Sequence, residues 1–301
     1  MSLNQSLGYD DDAKLLIVNA DDFGMCHAEN LAIQRLFQEG IISSSTIMMP
    51  CGWAKEAAVW SANHHEYDVG VHLTFTSEWS GYKWGPVTRN GDVRSLVTKE
   101  GYFPTDCKTF EEQAEPEQVR LEIVNQIEAA LAMGVNPTHL DNHMGSLYGL
   151  ATGKQFLDVV FEICAWYGLP FRMPRALPNM EKVPPEAIEV ANQATALADH
   201  MGVVILDYLI GLPFGKLPGE TYDSYKQSMI EVLQNLQAGV SEILIHPAIA
   251  SEELKAIHHE WEKRQWDYEL FRDREVQQVI EEQGIIRTSW SALQKVQRQG
   301  K

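Results

Sequence analysis

The sequence predicts an α/β chain folded as a distorted (β/α) barrel of seven to eight mostly parallel strands. Three observations predict it. Short β-rich runs alternate with longer helical patterns along the 301 residues. The strand-like runs are mostly apolar throughout, as strands covered on both faces are. Neither a GxGxxG turn nor a GxxxxGK[ST] loop follows any strand, so nothing marks a nucleotide-binding open sheet. An open doubly wound sheet is the rival architecture.

The strand runs fall at 15–20, 44–49, 69–75, 138–143, 171–173, 203–209, 242–246 and 285–289. Between them, residues 28–39 place Leu31, Ile33, Leu36 and Phe37 at near-helical spacing and stop at Gly40. Residues 116–133 begin with Pro116, carry Val119, Ile123, Ile127 and Leu131 four apart, and are followed by Gly134. The same period marks 155–167, ahead of Gly168, and 222–236, ahead of Gly239. Residues 1–13 read as a polar N-terminal tail and 14–301 as one catalytic domain. Two stretches interrupt its alternation. Residues 76–115 form a long insertion, and 252–274, charged and containing Trp261 and Trp266, read as a helical surface element.

Lys and Arg total 24 against 42 Asp and Glu, a net charge of −18. That balance opposes nucleic acid and anionic membrane as partners and favours a neutral or cationic small molecule. No apolar run approaches the roughly 18 residues that cross a bilayer, and the acidic start is not a signal peptide. Cys26, Cys51, Cys107 and Cys164 lie far apart without a CxxC, so a disulfide framework is not expected and a reduced, cytoplasmic setting is. A homodimer is left open.

Chemistry concentrates where strands end. Asn19-Ala20-Asp21-Asp22-Phe23-Gly24 follows the apolar run Leu15-Leu16-Ile17-Val18, which puts two adjacent carboxylates at the mouth of a sheet. A cation shared with nearby imidazoles would relieve their repulsion. Strand alternation sends Asp21 and Asp22 to opposite faces unless the backbone turns there, and Phe23-Gly24 offers a turn. Otherwise Asp22 caps the following helix.

His72 lies in Val69-Gly70-Val71-His72-Leu73, on the face shared by Gly70 and Thr74. In Thr138-His139-Leu140-Asp141-Asn142-His143, His139, Asp141 and His143 share one face. His143 is the ligand candidate, while His139 and Asp141 sit deeper, where they could orient a ligand. His246-Pro247 ends another strand and suits proton transfer. Arg172 and Arg175 bracket 171–173, placed to orient a carboxylate such as Asp21, to bind substrate oxygens, or equally to form a plain salt bridge. Trp79, Tyr82, Trp84 and Phe103 lie in the insertion, where they either stack on a sugar ring or simply pack the loop. His64-His65 and His258-His259 read as surface residues.

Taken together, the Asn19–Gly24, Gly70–Leu73, Thr138–His143 and His246-Pro247 motifs resemble the YdjC-like carbohydrate deacetylases, which include chitooligosaccharide deacetylases of the ChbG type. Order and approximate spacing match from about residue 14 to 286. The resemblance implies a polysaccharide-deacetylase-like barrel with one divalent metal held by Asp22, His72 and His143. It further implies Asp21 as general base, His246 as acid or orienting group, and removal of acetyl groups from a small N-acetylated sugar. One departure is visible. Family members often continue as His-x-His-x-His, whereas His143 here is followed by Met144-Gly145-Ser146. Two imidazoles and a carboxylate suit zinc better than magnesium on softness, but the family is associated with magnesium, so the ion's identity stays open. The alternatives are another mononuclear metal-dependent barrel hydrolase, acting on a phosphoester or a cyclic amide, and a sugar-binding barrel without catalysis.

Overall fold

A computed structural model describes residues 2–176 and 185–300 of the chain. In chain order the elements are α1 Leu3–Ser6, β1 Lys14–Phe23, α2 His27–Gln38, β2 Ser44–Ile47, α3 Ala54–Ala62, β3 Asp68–Leu73, α4 Cys107–Gln113, α5 Pro116–Ala132 and β4 Leu140–Asn142. There follow α6 Leu157–Tyr167, α7 Pro185–His200, β5 Tyr208–Ile210, α8 Tyr222–Gln234, β6 Gly239–Ile245, α9 Glu252–Ile257, α10 Trp261–Leu270, α11 Arg274–Glu282, β7 Ile286–Arg287 and α12 Trp290–Gln299.

Among the described residues the sheet has seven strands in the order β4-β3-β2-β1-β6-β5, with β7 alongside β1. Every pairing is parallel. The sheet curls into a half-barrel with helices around it. Residues 171–174 link its two edges through single bridges, Leu140 to Phe171 and Pro174 to Leu206. The strand expected at 171–173 is therefore only this link. Pro170 and Pro174 enclose three residues and offer no amide hydrogen, which stops a ladder from growing.

β1 shows how the barrel is filled. Leu16, Val18 and Ala20 belong to the large core that the surrounding helices share, whereas Leu15 and Ile17 pack with Leu206, Val240, Trp290 and Leu293. This is period-two alternation with both faces buried. α12 delivers Trp290 and Leu293 to that second face, and Leu3 and Leu7 from the N-terminal stretch pack on the same cluster. Asn4 is buried there too, donating to the carbonyl of Ala13 at 2.8 Å.

Continuing along the Leu15–Ile17 face, β1 turns polar at Asn19 and Asp21. The apolar floor thus gives way to a polar top at the C-terminal ends of the strands, where barrels carry their chemistry. The 76–115 insertion lies folded against this end. Leu96, Phe103 and Phe110 are buried, and Glu122 of α5 accepts the amides of Val87 and Thr88 at 2.9 and 3.1 Å.

Candidate active site

The backbone solves the parity problem at Asp22 itself. Asp22 has φ 66°, in the left-handed region that few non-glycine residues enter and aspartate enters more readily than most, and the β1–β2 register slips between Ala20 and Phe23. Both carboxylates therefore reach the same side. Gly24 follows with φ 96°, and a Cβ there would lie 2.9 Å from the Ala54 Cα, so the turn requires glycine.

Asp22 is buried and its Oδ1 lies 3.4 Å from His72 Nε2 and 3.5 Å from His143 Nδ1. These separations exceed the ordinary 2.7–3.2 Å of an N–H···O bond. One ligand atom from each of the three residues falls within 4.8 Å of the others. His72 reaches this point because β3 pairs with β4 in a register that sets it opposite Asp141. Its Nδ1 is 2.7 Å from Asp141 Oδ1, which fixes the proton on that nitrogen and aims Nε2 at Asp22. Gly70 allows the approach, since a Cβ there would lie 2.7 Å from the His139 ring.

β4 ends at Asn142, so His143 does not continue the strand face shared by His139 and Asp141. It opens a turn in which Met144 takes φ 55°. Its other nitrogen, Nε2, is 3.0 Å from Glu78 Oε2.

Asp21 is held differently. Arg172 donates to both oxygens, Nη1 to Oδ2 at 2.8 Å and Nη2 to Oδ1 at 2.6 Å, and Asn19 Nδ2 adds a bond to Oδ1 at 2.8 Å. His72 Nε2 and His246 Nε2 each stand 3.9 Å from Asp21 Oδ2. The buried Arg172 also pairs with Asp141 at 2.8 Å and Glu242 at 2.5 Å. Burial works to raise the Asp21 pKa, but Arg172 first, then His72 and His246, hold it well below the carboxylate range. For Asp22 the same burial is outweighed by Arg264 and His143. Burial likewise opposes a charge on His143, yet Glu78 and Asp22 push it up to about 10. Burial holds His246 below its ordinary value, with Asp22 and Asp21 partly offsetting it.

Arg264 was not visible in the sequence as a site residue. It projects from α10, is 2% exposed, and its Nη2 lies 2.8 Å from Asp22 Oδ2. It also binds Glu29 and His258. The 252–274 stretch is thus no surface element, because Lys263, Arg264 and Asp267 are all buried in it. Asp267 accepts the His246 amide at 2.8 Å. His258, expected at the surface, is buried under Trp79 with ring centroids 4.2 Å apart.

Three further expectations need correction. Arg175 points away and pairs with Asp199 at 2.6 and 3.0 Å. His139 is stacked on Trp290 at 4.5 Å, deep in the barrel. Trp84 is buried, donating to the Thr76 carbonyl at 2.7 Å with its ring 6.1 Å from that of His143, so it packs the loop and offers no face to a sugar. The aromatic ring that does stand open beside His246 is Phe214, 42% exposed, with centroids 5.1 Å apart.

The donor set fits a divalent ion. Two imidazoles, each with its far nitrogen fixed by a carboxylate, and one buried carboxylate oxygen are what a mononuclear site with open positions presents.

The family model of the YdjC-like proteins matches residues 15–282. A carbohydrate deacetylase of Thermoanaerobacter pseudethanolicus is 26% identical over 93% of this chain and 99% of its own length. One from Thermus thermophilus is 29% identical over 89% and 90%. The crystal structure of a candidate cellobiose-phosphate cleavage protein of Enterococcus faecalis aligns with a TM-score of 0.74 at 27% identity, covering 93% of this chain and 99% of that one.

Proposed function

This chain belongs to the YdjC-like protein family, and on that premise we propose that it hydrolyses the N-acetyl group of a small N-acetylated carbohydrate with the help of one divalent ion. The relatives named carbohydrate deacetylases support the reaction class. The observation that carries the reading is the meeting of Asp22, His72 and His143 around one point, with Asp21 beside them but otherwise bonded.

Asp22, His72 and His143 are the residues that would hold the ion. When bound, it would supply Lewis acidity to the acetyl carbonyl and to the attacking water. Asp21 is the general base. Arg172 fixes its plane with two hydrogen bonds, and the remaining lone pairs of Oδ2 face His72 and His246. Held anionic throughout the neutral range, Asp21 takes the proton of water as attack proceeds.

The departing amine needs a proton, and His246 stands nearest to deliver it. Burial keeps the resting imidazole neutral. The proton collected by so acidic a carboxyl passes downhill to His246 and on to the nitrogen. The products are acetate and a free amino sugar. The chain's negative charge suits a neutral substrate that leaves as a cation.

The test is acetate release from N-acetylglucosamine, its β-linked disaccharide and the phosphorylated disaccharide, each with and without chelator. Acetate that disappears with chelator and returns with zinc or magnesium supports the proposal. Phosphate release without acetate makes the chain a phosphoesterase. Sugar binding without either product makes it a binding barrel.

A further inference from the structure

We propose that Glu78, carried by the 76–115 insertion, is a positioning residue for the candidate metal centre: it holds the far nitrogen of His143 so that Nδ1 faces Asp22. The inference rests on the metal reading above and extends it to a residue outside the barrel.

The two histidines are oriented by different parts of the molecule. For His72 the orienting carboxylate is Asp141, set directly opposite by the β3–β4 register. It belongs to the barrel. For His143 it is Glu78, whose Oε2 lies 3.0 Å from Nε2. An imidazole presents a lone pair at one nitrogen only when the proton sits on the other, and a carboxylate at that other nitrogen settles which.

The insertion is built to deliver Glu78. On one side of it, Ser77 donates its amide to the Pro104 carbonyl at 2.7 Å, accepts the Trp84 amide at its hydroxyl at 3.1 Å, and has its own carbonyl held by Lys83 at 2.5 Å. On the other side, Trp79 is stacked flat on His258, their rings tilted by 11°. His258 in turn binds Arg264, the partner of Asp22. Residues 77–79 thus meet one candidate ligand, His143, directly through Glu78 and reach Asp22 only through His258 and Arg264, so the insertion contributes to the metal centre through its hold on His143.

Glu78 is only partly buried and bonds no backbone group, so its replacement should leave the fold intact. The test is calorimetric titration of chelator-stripped protein with zinc, for wild type, Glu78→Ala and Glu78→Gln. Glu78→Ala should bind zinc about 10- to 100-fold more weakly, the usual cost of losing a carboxylate behind a ligating histidine. Glu78→Gln should fall between, because its amide oxygen still accepts the Nε2 proton. In zinc-loaded protein labelled at histidine nitrogens, the His143 Nε2–H signal should persist in wild type and Glu78→Gln and exchange away in Glu78→Ala. A purely structural role would not produce that pattern. Glu78→Ala with wild-type affinity and a persisting signal overturns the inference and leaves the metal reading standing. Wild-type protein that takes up no zinc overturns both.

Discussion

Asp21 and Asp22 are neighbours in the chain, and the fold gives each its own arginine. Arg172 grips both oxygens of Asp21, while Arg264 takes only Oδ2 of Asp22 and leaves Oδ1 between two imidazoles. The first arrangement fixes a carboxylate in one plane and keeps it charged. The second keeps a carboxylate charged but unsaturated, the state a metal ligand needs. Identical side chains one residue apart thus acquire different chemistry from the cations that meet them, and the φ of 66° at Asp22 lets both arrive together.

Removing the arginines should separate the two halves. Arg172→Met removes the cation that Asp21, Asp141 and Glu242 share and should cost about 3–5 kcal/mol of unfolding free energy, the range for a broken buried ion pair. Arg264→Met orphans Asp22 and Glu29 and should cost nearly as much. Saturating zinc should recover part of the loss in Arg264→Met, whose orphaned carboxylate faces the ion, and little in Arg172→Met. Denaturant melts of both variants, with and without zinc, check this. Equal recovery in both would erase the distinction.

A smaller effect sits behind Arg172. Burial raises Glu242 to about 7, with Arg172 partly offsetting it, and Trp290 Nε1 donates to Oε2 at 2.8 Å. A carboxyl whose folded pKa exceeds its unfolded value binds its proton more tightly when folded. Its contribution is therefore greatest below about 4.5, the unfolded value, and declines as pH rises toward 7. The stability of wild type relative to Glu242→Gln should fall by about 3 kcal/mol across that window and then level off. Unfolding curves at pH 4.5, 6 and 8 measure it, and a flat difference would place the Glu242 proton elsewhere.

What was legible in the sequence followed from periodicity. The strand ends carrying Asp21, Asp22, His72 and His246 stand out because apolar runs stop at charged or ionisable residues, and α2, α5, α6 and α8 announce themselves by their spacing. The strand expected at 171–173 was a misreading, since three residues between prolines carry no alternation and make only single bridges.

Arg264 and His258 were hidden for a physical reason. A buried arginine balanced by two buried carboxylates has the same composition as a solvated helix face, and only tertiary pairing tells them apart. Glu78 lies in a loop without period, so nothing local marks it. The nearest signal was the position of the insertion, directly after the His72 strand. At Trp84 the packing alternative holds, because a loop folded on the barrel spends its largest rings on its own packing.

The most direct test compares metal content in Asp21→Asn and Asp22→Asn. Both should lose acetate release by orders of magnitude. After zinc loading and desalting, elemental analysis should find about one ion per chain in wild type and in Asp21→Asn, and almost none in Asp22→Asn. Zinc retained by Asp22→Asn, or lost from Asp21→Asn as fully as from Asp22→Asn, would contradict the division of labour between the two aspartates.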